Sequence, residues 1–162
     1  MPGMRRKDKE IADRAVVEEL LREAEVGRLA TCGGGEPYVV PVSFVYHDGR
    51  IIIHGSGEGR KMENIVSNPR VCFEVDQSEK MEGGRPCDYS FRYMSVVVQG
   101  RARVLDGDNE RLAALRRLTD KYAPSKGRAL TAEDLRRYPS LAVVEVVVDS
   151  MTGRRSPSPS RP

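Results

Sequence analysis

Arg60 and Lys61 close a turn that carries three glycines, Gly55, Gly57 and Gly59, in the stretch I-I-I-H-G-S-G-E-G-R-K from Ile51 to Lys61. Ile51 to His54 reads as a strand, and the M-E-N-I-V segment after the basic pair reads as a short amphipathic helix ending at Asn68-Pro69. A glycine turn frees backbone N–H groups, and a helix N-terminus adds the positive end of its dipole. Guanidinium and ammonium groups at the same point add formal charge and further donors. Binding of a phosphate is the chemistry this arrangement suits. The spacing matches neither G-x-x-x-x-G-K-[ST] nor G-x-G-x-x-G. An ordinary turn with a solvated basic pair also fits these residues.

Few other residues have types suited to chemistry. His54 is one of two histidines. Its position fits contact with a bound group or proton relay near neutral pH, and it equally fits a half-buried strand histidine with a satisfied hydrogen bond. His47 precedes Asp48-Gly49 and is expected to be exposed at a hairpin tip. The three cysteines form no C-x-x-C and are odd in number, so neither a disulfide framework nor a zinc site is indicated. Cys32 and Cys72 read as small buried strand residues. Cys87, in a polar loop beside Asp88, fits an inert loop cysteine, or a redox thiol if basic groups surround it. Tyr89, Phe91 and Tyr93 alternate on one strand face, where they suit either stacking across an interface or packing. Arg111, Arg116 and Arg117 lie among acids and read as a solvated helix face.

The elements that must position these residues follow from periodicity. Val16, Val17, Leu20, Leu21 and Ala24 recur at helical spacing from about Ala12 to Glu25, with Asp13 as N-cap. Strands are expected over Gly27–Cys32, Pro37–His47, Arg50–His54, Arg70–Asp76, Phe91–Leu105 and Leu141–Val148. Gly33-Gly34-Gly35 and Asp48-Gly49 mark turns. Pro41 implies an edge, a bulge or a break in its strand, and Gly100 a bulge or bend. Residues 77–90 read as a loop. Asp108 is expected to cap a helix over about Asn109–Tyr122, with Leu112, Leu115 and Leu118 inward. Thr131 opens a capping box for a third helix to Arg137. Six strands in short succession, with a few peripheral helices, give a mainly β fold of the α+β kind, an antiparallel Greek-key barrel.

Length and composition narrow the functions available. The 162 residues, 39% hydrophobic and 31% charged, suit one soluble domain. That domain is expected over residues 11–153, between a flexible stretch 1–10 and a disordered Ser/Pro/Arg tail 154–162. The net charge of +3 equals the charge of Arg154, Arg155 and Arg161 in that tail. The remainder is formally neutral and shows no basic stripe of a nucleic-acid binder. No apolar run approaches the ~18 residues of a membrane span. The N-terminal M-P-G-M-R-R-K-D-K-E has no apolar h-region after it, so a cytoplasmic protein without nucleic-acid or membrane partners is expected.

The ordered set G-R-L-A-T, P-Y-V-V-P-V-S-F-V-Y-H-D-G, I-I-I-H-G-S-G-E-G-R-K, N-P-R-V-C-F-E-V-D, Y-M-S-V-V-V-Q-G-R-A and M-T-G-R-R-S resembles the pyridoxamine 5′-phosphate oxidase-like split β-barrel flavoproteins. The likeness is closer to their nitroimidazole-resistance, or nitroimidazole reductase-like, branch and covers roughly Met4 to Ser156. The resemblance implies a homodimer with FMN at each subunit interface. By position, Arg60 and Lys61 match the basic pair on the flavin phosphate, with Ser56 beside it. Pro41, Val42, Ser43 and Phe44 match the strand along the isoalloxazine ring. His54 and Gly55 match the strand end under the ring and ribityl chain, with His54 the candidate catalytic residue. Ser95 of the partner subunit matches the strand that reaches the flavin from across the interface. The implied activity is flavin-dependent reduction or oxidation of small electron-poor molecules, with NAD(P)H or another donor. Relatives also bind deazaflavin F420 or haem, for which His54 would be the axial ligand. A non-catalytic flavin-binding sensor or partner module uses the same barrel. Two departures stand out. The basic and aromatic residues that hold pyridoxal phosphate near the C-terminus of the oxidases are missing, and Gly59 stands where many relatives have Ser.

Overall fold

Asp13 ends an extended stretch and starts the first helix by accepting the N–H of Ala15 at 2.9 Å. That helix, α1 (Arg14–Glu23), buries Val17, Leu20 and Leu21 as its spacing requires. The computed structural model describes residues 6–81 and 90–156. Seven strands follow one another: β1 (Glu10–Ile11), β2 (Val26–Gly33), β3 (Glu36–His47), β4 (Arg50–Ser56), β5 (Arg70–Met81), β6 (Ser90–Val104) and β7 (Leu141–Arg155). Helix α2 (Arg60–Ser67) joins β4 to β5, and α3 (Asp108–Tyr122) and α4 (Ala132–Arg137) join β6 to β7. Within the described residues no helix is long and apolar enough to cross a membrane.

The strands run in the order β1-β7-β4-β3-β2-β5-β6, and a further β7–β6 pairing closes them into a split barrel. Every pairing is antiparallel. Alternation sends one side chain in two inward. Val71, Phe73 and Val75 of β5 are buried, and Cys72, Glu74 and Asp76 are half-buried on the other face. Phe44 and Phe73 meet edge-on inside the barrel, 4.7 Å between centroids. The register shifts between Gln99 and Gly100, the bulge expected at that glycine, where a Cβ would press on the Val147 carbonyl.

A second apolar layer lies outside the barrel. Leu115 and Leu118 of α3 and Leu135 of α4 pack on Ile52 and Val143 from the outer faces of β4 and β7. Thr131 and Asp134 form the expected capping box that starts α4. Arg111 and Arg116 correct the solvated-face reading, while Arg117 stays exposed as expected. Arg111 donates to the Leu141 carbonyl at 2.8 Å, and Arg116 donates twice to the Leu130 carbonyl. Arg117 contacts Nε2 of His47 at 2.7 Å, so that histidine, partly exposed at the hairpin tip as expected, has a partner there. The helix begins at Asp108 with Gly107 as N-cap, so Asp108 sits in the first turn.

Three boundaries also differ from the periodicity. Strand β5 runs on through Gln77–Met81 because β6 matches it rung by rung to Met81↔Ser90, although those residues are too polar to read as a strand. Strand β7 continues to Arg155, two residues into the expected tail. Glu10 and Ile11, at the edge of the expected flexible stretch, pair with Arg154 and Gly153 as a seventh strand. A Cβ at Gly153 would meet Val17 and Ile11, which explains how α1 and β1 approach so closely there. Cys87, Tyr89 and residues 157–162 lie outside the described residues.

The C-terminal end of α3 is clasped to the barrel. Tyr122 Oη accepts the Phe44 N–H at 2.8 Å and donates to the Glu25 carbonyl at 2.6 Å. It supplies the rung that β2 would have offered β3 had β2 begun one residue earlier. Beside it, Lys121 Nζ donates to the Ala24 carbonyl and lies 3.8 Å from the centre of the Phe44 ring. Burial holds that ammonium down at about 8. Replacing Tyr122 with Phe removes the bridging hydroxyl and leaves a buried N–H without its partner. We expect a loss of about 1–2 kcal/mol in a urea unfolding titration, with an unchanged slope.

Candidate active site

The hairpin of β3 and β4 is paired only from His47↔Arg50 to Phe44↔Ile53. Beyond Phe44 the two strands follow different neighbours. β3 stays with β2 from Ser43↔Val26 back to Glu36↔Gly33, while His54, Gly55 and Ser56 stay with Val143, Ala142 and Leu141 of β7. The segment 36–43 of β3 therefore has a partner strand on one side only, and alternate backbone groups face the opening. Pro41 sits within that edge, where its missing N–H costs no second ladder.

Helix α2 places the basic pair at the opposite lip. Met62 and Ile65 enter the barrel core. The buried Asn64 donates to Thr31 Oγ1 at 3.0 Å, and Asn68 donates to the Cys32 carbonyl at 3.1 Å. A Cβ on Gly33 would overlap Asn64 Oδ1, so this glycine admits the helix. Gly59 precedes the helix at φ 94 and ψ 175, a backbone conformation that a side chain would strain. Gly57 N–H donates to the Ser140 carbonyl at 2.7 Å, which ties the turn to the start of β7.

This anchoring lays Lys61 back over the end of β4. Its Nζ comes so close to Gly55 that a Cβ there would stand 2.9 Å away. Burial lowers the Lys61 pKa from its ordinary value, so the ammonium is partly desolvated. Ser56 Oγ accepts the Glu58 N–H at 3.2 Å, which leaves its own O–H free to donate elsewhere. Arg60 pairs with Glu36 and lies 5.1 Å from the centre of the Tyr38 ring. A guanidinium has five N–H donors, so one carboxylate leaves several unspent. Ammonium, guanidinium, hydroxyl and a glycine turn at a helix start are the donor set an anionic oxygen cluster requires.

Ser43 and His54, one from each parted strand, border a cavity of about 530 Å³. Its remaining wall comes from α3, the α3–α4 connection, α4 with Tyr138 just after it, and the first residue of β7, and includes Leu112, Leu115, Leu118, Tyr122 and Leu130. His54 is open to solvent on one side. Desolvation by the wall, and then the nearby Lys61 ammonium, hold its imidazole below the ordinary 6.5, so it is neutral at pH 7.

The two parted strands and α2 thus carry Pro41, Val42, Ser43, His54, Gly55, Ser56, Arg60 and Lys61 on the lips of one opening, while Phe44, at the point of parting, is fully buried and turns its ring into the barrel core against Phe73. Ser95 is not among them: it lies on β6 between Asp76 and Arg154. Phe91, well exposed at 60%, and Tyr93 lie near the start of the same strand. Tyr122 and the cavity-lining leucines carried no functional signal in the sequence, because an amphipathic stripe reads as core. A tyrosine ending such a stripe is the clue that was available, since its polar tip needs a partner. Among the described residues no cluster of three His, Cys, Asp or Glu side chains could hold a metal ion.

The chain is similar in sequence and in fold to several known proteins. A family model described as pyridoxamine 5′-phosphate oxidase matches residues 13–155. Over 97 residues the chain is 41% identical to a 5a,11a-dehydrotetracycline/5a,11a-dehydrooxytetracycline reductase of Streptomyces rimosus; the match takes in 56% of this chain and 63% of the reductase. A solved protein from Bacteroides thetaiotaomicron, named for 5-nitroimidazole antibiotic resistance, is 26% identical, with a TM-score of 0.78 over 90% of this chain and 86% of that one. The flavocytochrome Anf3 of Azotobacter vinelandii shares the fold at 19% identity, with a TM-score of 0.83 over 99% of this chain and 75% of that one.

Replacing Lys61 with Met removes one of the two influences on His54. An NMR titration is expected to put the wild-type imidazole midpoint below 6.5 and to move it part of the way back in the variant. An unchanged midpoint would mean that desolvation alone sets it.

Proposed function

The chain belongs to the pyridoxamine 5′-phosphate oxidase family, and on that footing we propose that it is an FMN-dependent oxidoreductase of small electron-poor molecules. The observation that supports this reading is the split between β3 and β4, with a strand edge on one lip and Lys61 over Gly55 on the other. The phosphate of the cofactor would lie on Lys61, Arg60, the Ser56 hydroxyl and the turn amides before α2. The ring would lie along Pro41, Val42 and Ser43, whose outward backbone groups supply donors and acceptors, with His54 beside it. When bound, a flavin supplies two-electron chemistry: a hydride comes from a nicotinamide donor and passes, with a solvent proton, to a planar acceptor such as a nitroaromatic. A neutral His54 can accept or donate a hydrogen bond at that edge without adding charge.

The reading takes the active unit to be a cytoplasmic homodimer. Ser95 lies on β6, away from the two parted strands, and in this reading it reaches the flavin as Ser95 of the partner subunit. A FAD and haem binding protein of Mycobacterium smegmatis shares the fold, and uptake of each cofactor distinguishes FMN from haem.

Purified protein dialysed against FMN is expected to show the two absorption bands of an oxidised flavin and to consume NADH or NADPH when an electron-poor acceptor is added. The Arg60→Ala/Lys61→Ala double variant should keep its circular dichroism and sedimentation while its FMN affinity falls at least about tenfold, the scale of one or two lost charge-assisted hydrogen bonds. A Soret band after incubation with haem, uptake of F420 in place of FMN, or unchanged FMN affinity in the double variant would reject the assignment.

A further inference from the structure

The cavity bordered by Ser43 and His54 reaches well past the strand edge to which the flavin ring is assigned. Leucine is its commonest wall residue, drawn from α3, from the α3–α4 connection, from α4 and from the first residue of β7. Arg60 and Lys61 are not part of that wall, so the phosphate end of the proposed cofactor lies elsewhere. Resting on the flavin reading for what occupies the strand edge, we infer that this cavity is a separate binding site for a neutral, largely apolar, multi-ring molecule, the acceptor of the reaction.

Size and charge set the class. About 530 Å³ falls within the range of sites that enclose drug-sized ligands, and it exceeds what a single small ring needs. No lysine or arginine lines the cavity. Its one carboxylate, Asp134, is already satisfied: Oδ2 accepts the Thr131 N–H and Oγ1–H, each at 2.8 Å, and Oδ1 faces Arg137 at 3.8 Å. His54, the remaining group that titrates near neutrality, is held neutral. A ligand carboxylate or phosphate lying along the leucines, away from the Lys61 side of His54, would therefore be desolvated with no counter-charge among the lining residues, which is costly. A cationic ligand would find Asp134 already engaged. Thr119 and Tyr138 supply the small number of polar groups that orient a ligand in an apolar site. The shared border at Ser43 and His54 sets one edge of such a ligand against the flavin position, which hydride transfer requires.

Two dyes with one ring skeleton test the inference: N-phenyl-1-naphthylamine, which is neutral, and its 8-sulfonate. Each is titrated by fluorescence into the full-length FMN-loaded protein. The neutral dye is expected to bind with enhanced, blue-shifted emission, and the sulfonate at least about tenfold more weakly. Leu112→Glu, at a half-buried position of the wall, should weaken the neutral dye by a similar factor and leave FMN affinity unchanged. Tyr138→Ala, at an exposed position, gives a second reading should the first variant fold poorly. Equal affinity for the two dyes, unchanged binding in both variants, or stoichiometric displacement of the dye by FMN would overturn the inference. The two readings separate in the Arg60→Ala/Lys61→Ala protein. If FMN is lost there and the neutral dye still binds, both readings gain support. If FMN binding is unaffected while the dye pattern holds, the flavin assignment fails and the apolar site stands.

Discussion

The site depends on two strands parting after four rungs. β3 and β4 leave their hairpin as ordinary antiparallel partners, and each then follows its other neighbour around the barrel. Sheet twist accumulates from strand to strand, so a short ladder between two long ones is where a small barrel opens most readily. Pro41 prevents that opening from sealing, because it cannot contribute a donor to a continued ladder. Everything placed around the opening serves it. Lys61 reaches one lip from α2, and the helical lobe of α3 and α4 covers the outer face beside the other.

Precision at the opening comes from fixing the elements around it by polar ties with little freedom. Asn64 is buried and bound to Thr31, so α2 can neither slide nor roll on β2. Arg111 and Arg116 donate to the backbone carbonyls of Leu141 and Leu130, one on each side of α4, and Tyr122 joins β3 to the residue just before β2 with one hydroxyl. A neighbouring network holds the buried Glu145 of β7 between Arg50 at 2.9 Å and Arg103 at 2.8 Å. These ties connect α3 and α4 to strands on both sides of the opening. The wall of the cavity and its strand-borne border therefore move together, the condition for holding two ligands in fixed relation.

Much of this was legible in the residues. Asp13 as N-cap, Asp48-Gly49 as hairpin, Thr131 with Asp134 as capping box and Gly100 as bulge each have a local physical cause, and each stands where the sequence put it. The opening was legible in part, through Pro41 and through the glycines before Arg60. Features set by partners distant in sequence were not. Gln77 to Met81 extend only because β6 lies beside them, and Glu10 and Ile11 form a strand only because β7 runs past. Arg111 and Arg116 look like surface charge in one dimension, since a carbonyl acceptor leaves no trace in a sequence. Leu112, Leu115 and Leu118 give the same periodic signal whether they fill a core or line a cavity, and here Leu115 and Leu118 do both.

Strand β7 touches β1, β4 and β6, and it is the last of the described strands in chain order. Until Leu141, Ala142 and Val143 exist, His54, Gly55 and Ser56 have no ladder partner at all, since β3 has already left them. A nascent chain can form the hairpins β2–β3 and β5–β6 as it emerges, yet the lip that carries His54 stays unformed until Leu141 to Val143 have been made. Binding competence then arrives in one late step, with barrel closure. Any ligand held at the opening rewards the closed barrel alone, so it acts on the final stage of folding and leaves the earlier hairpins to stand or fall by their own contacts.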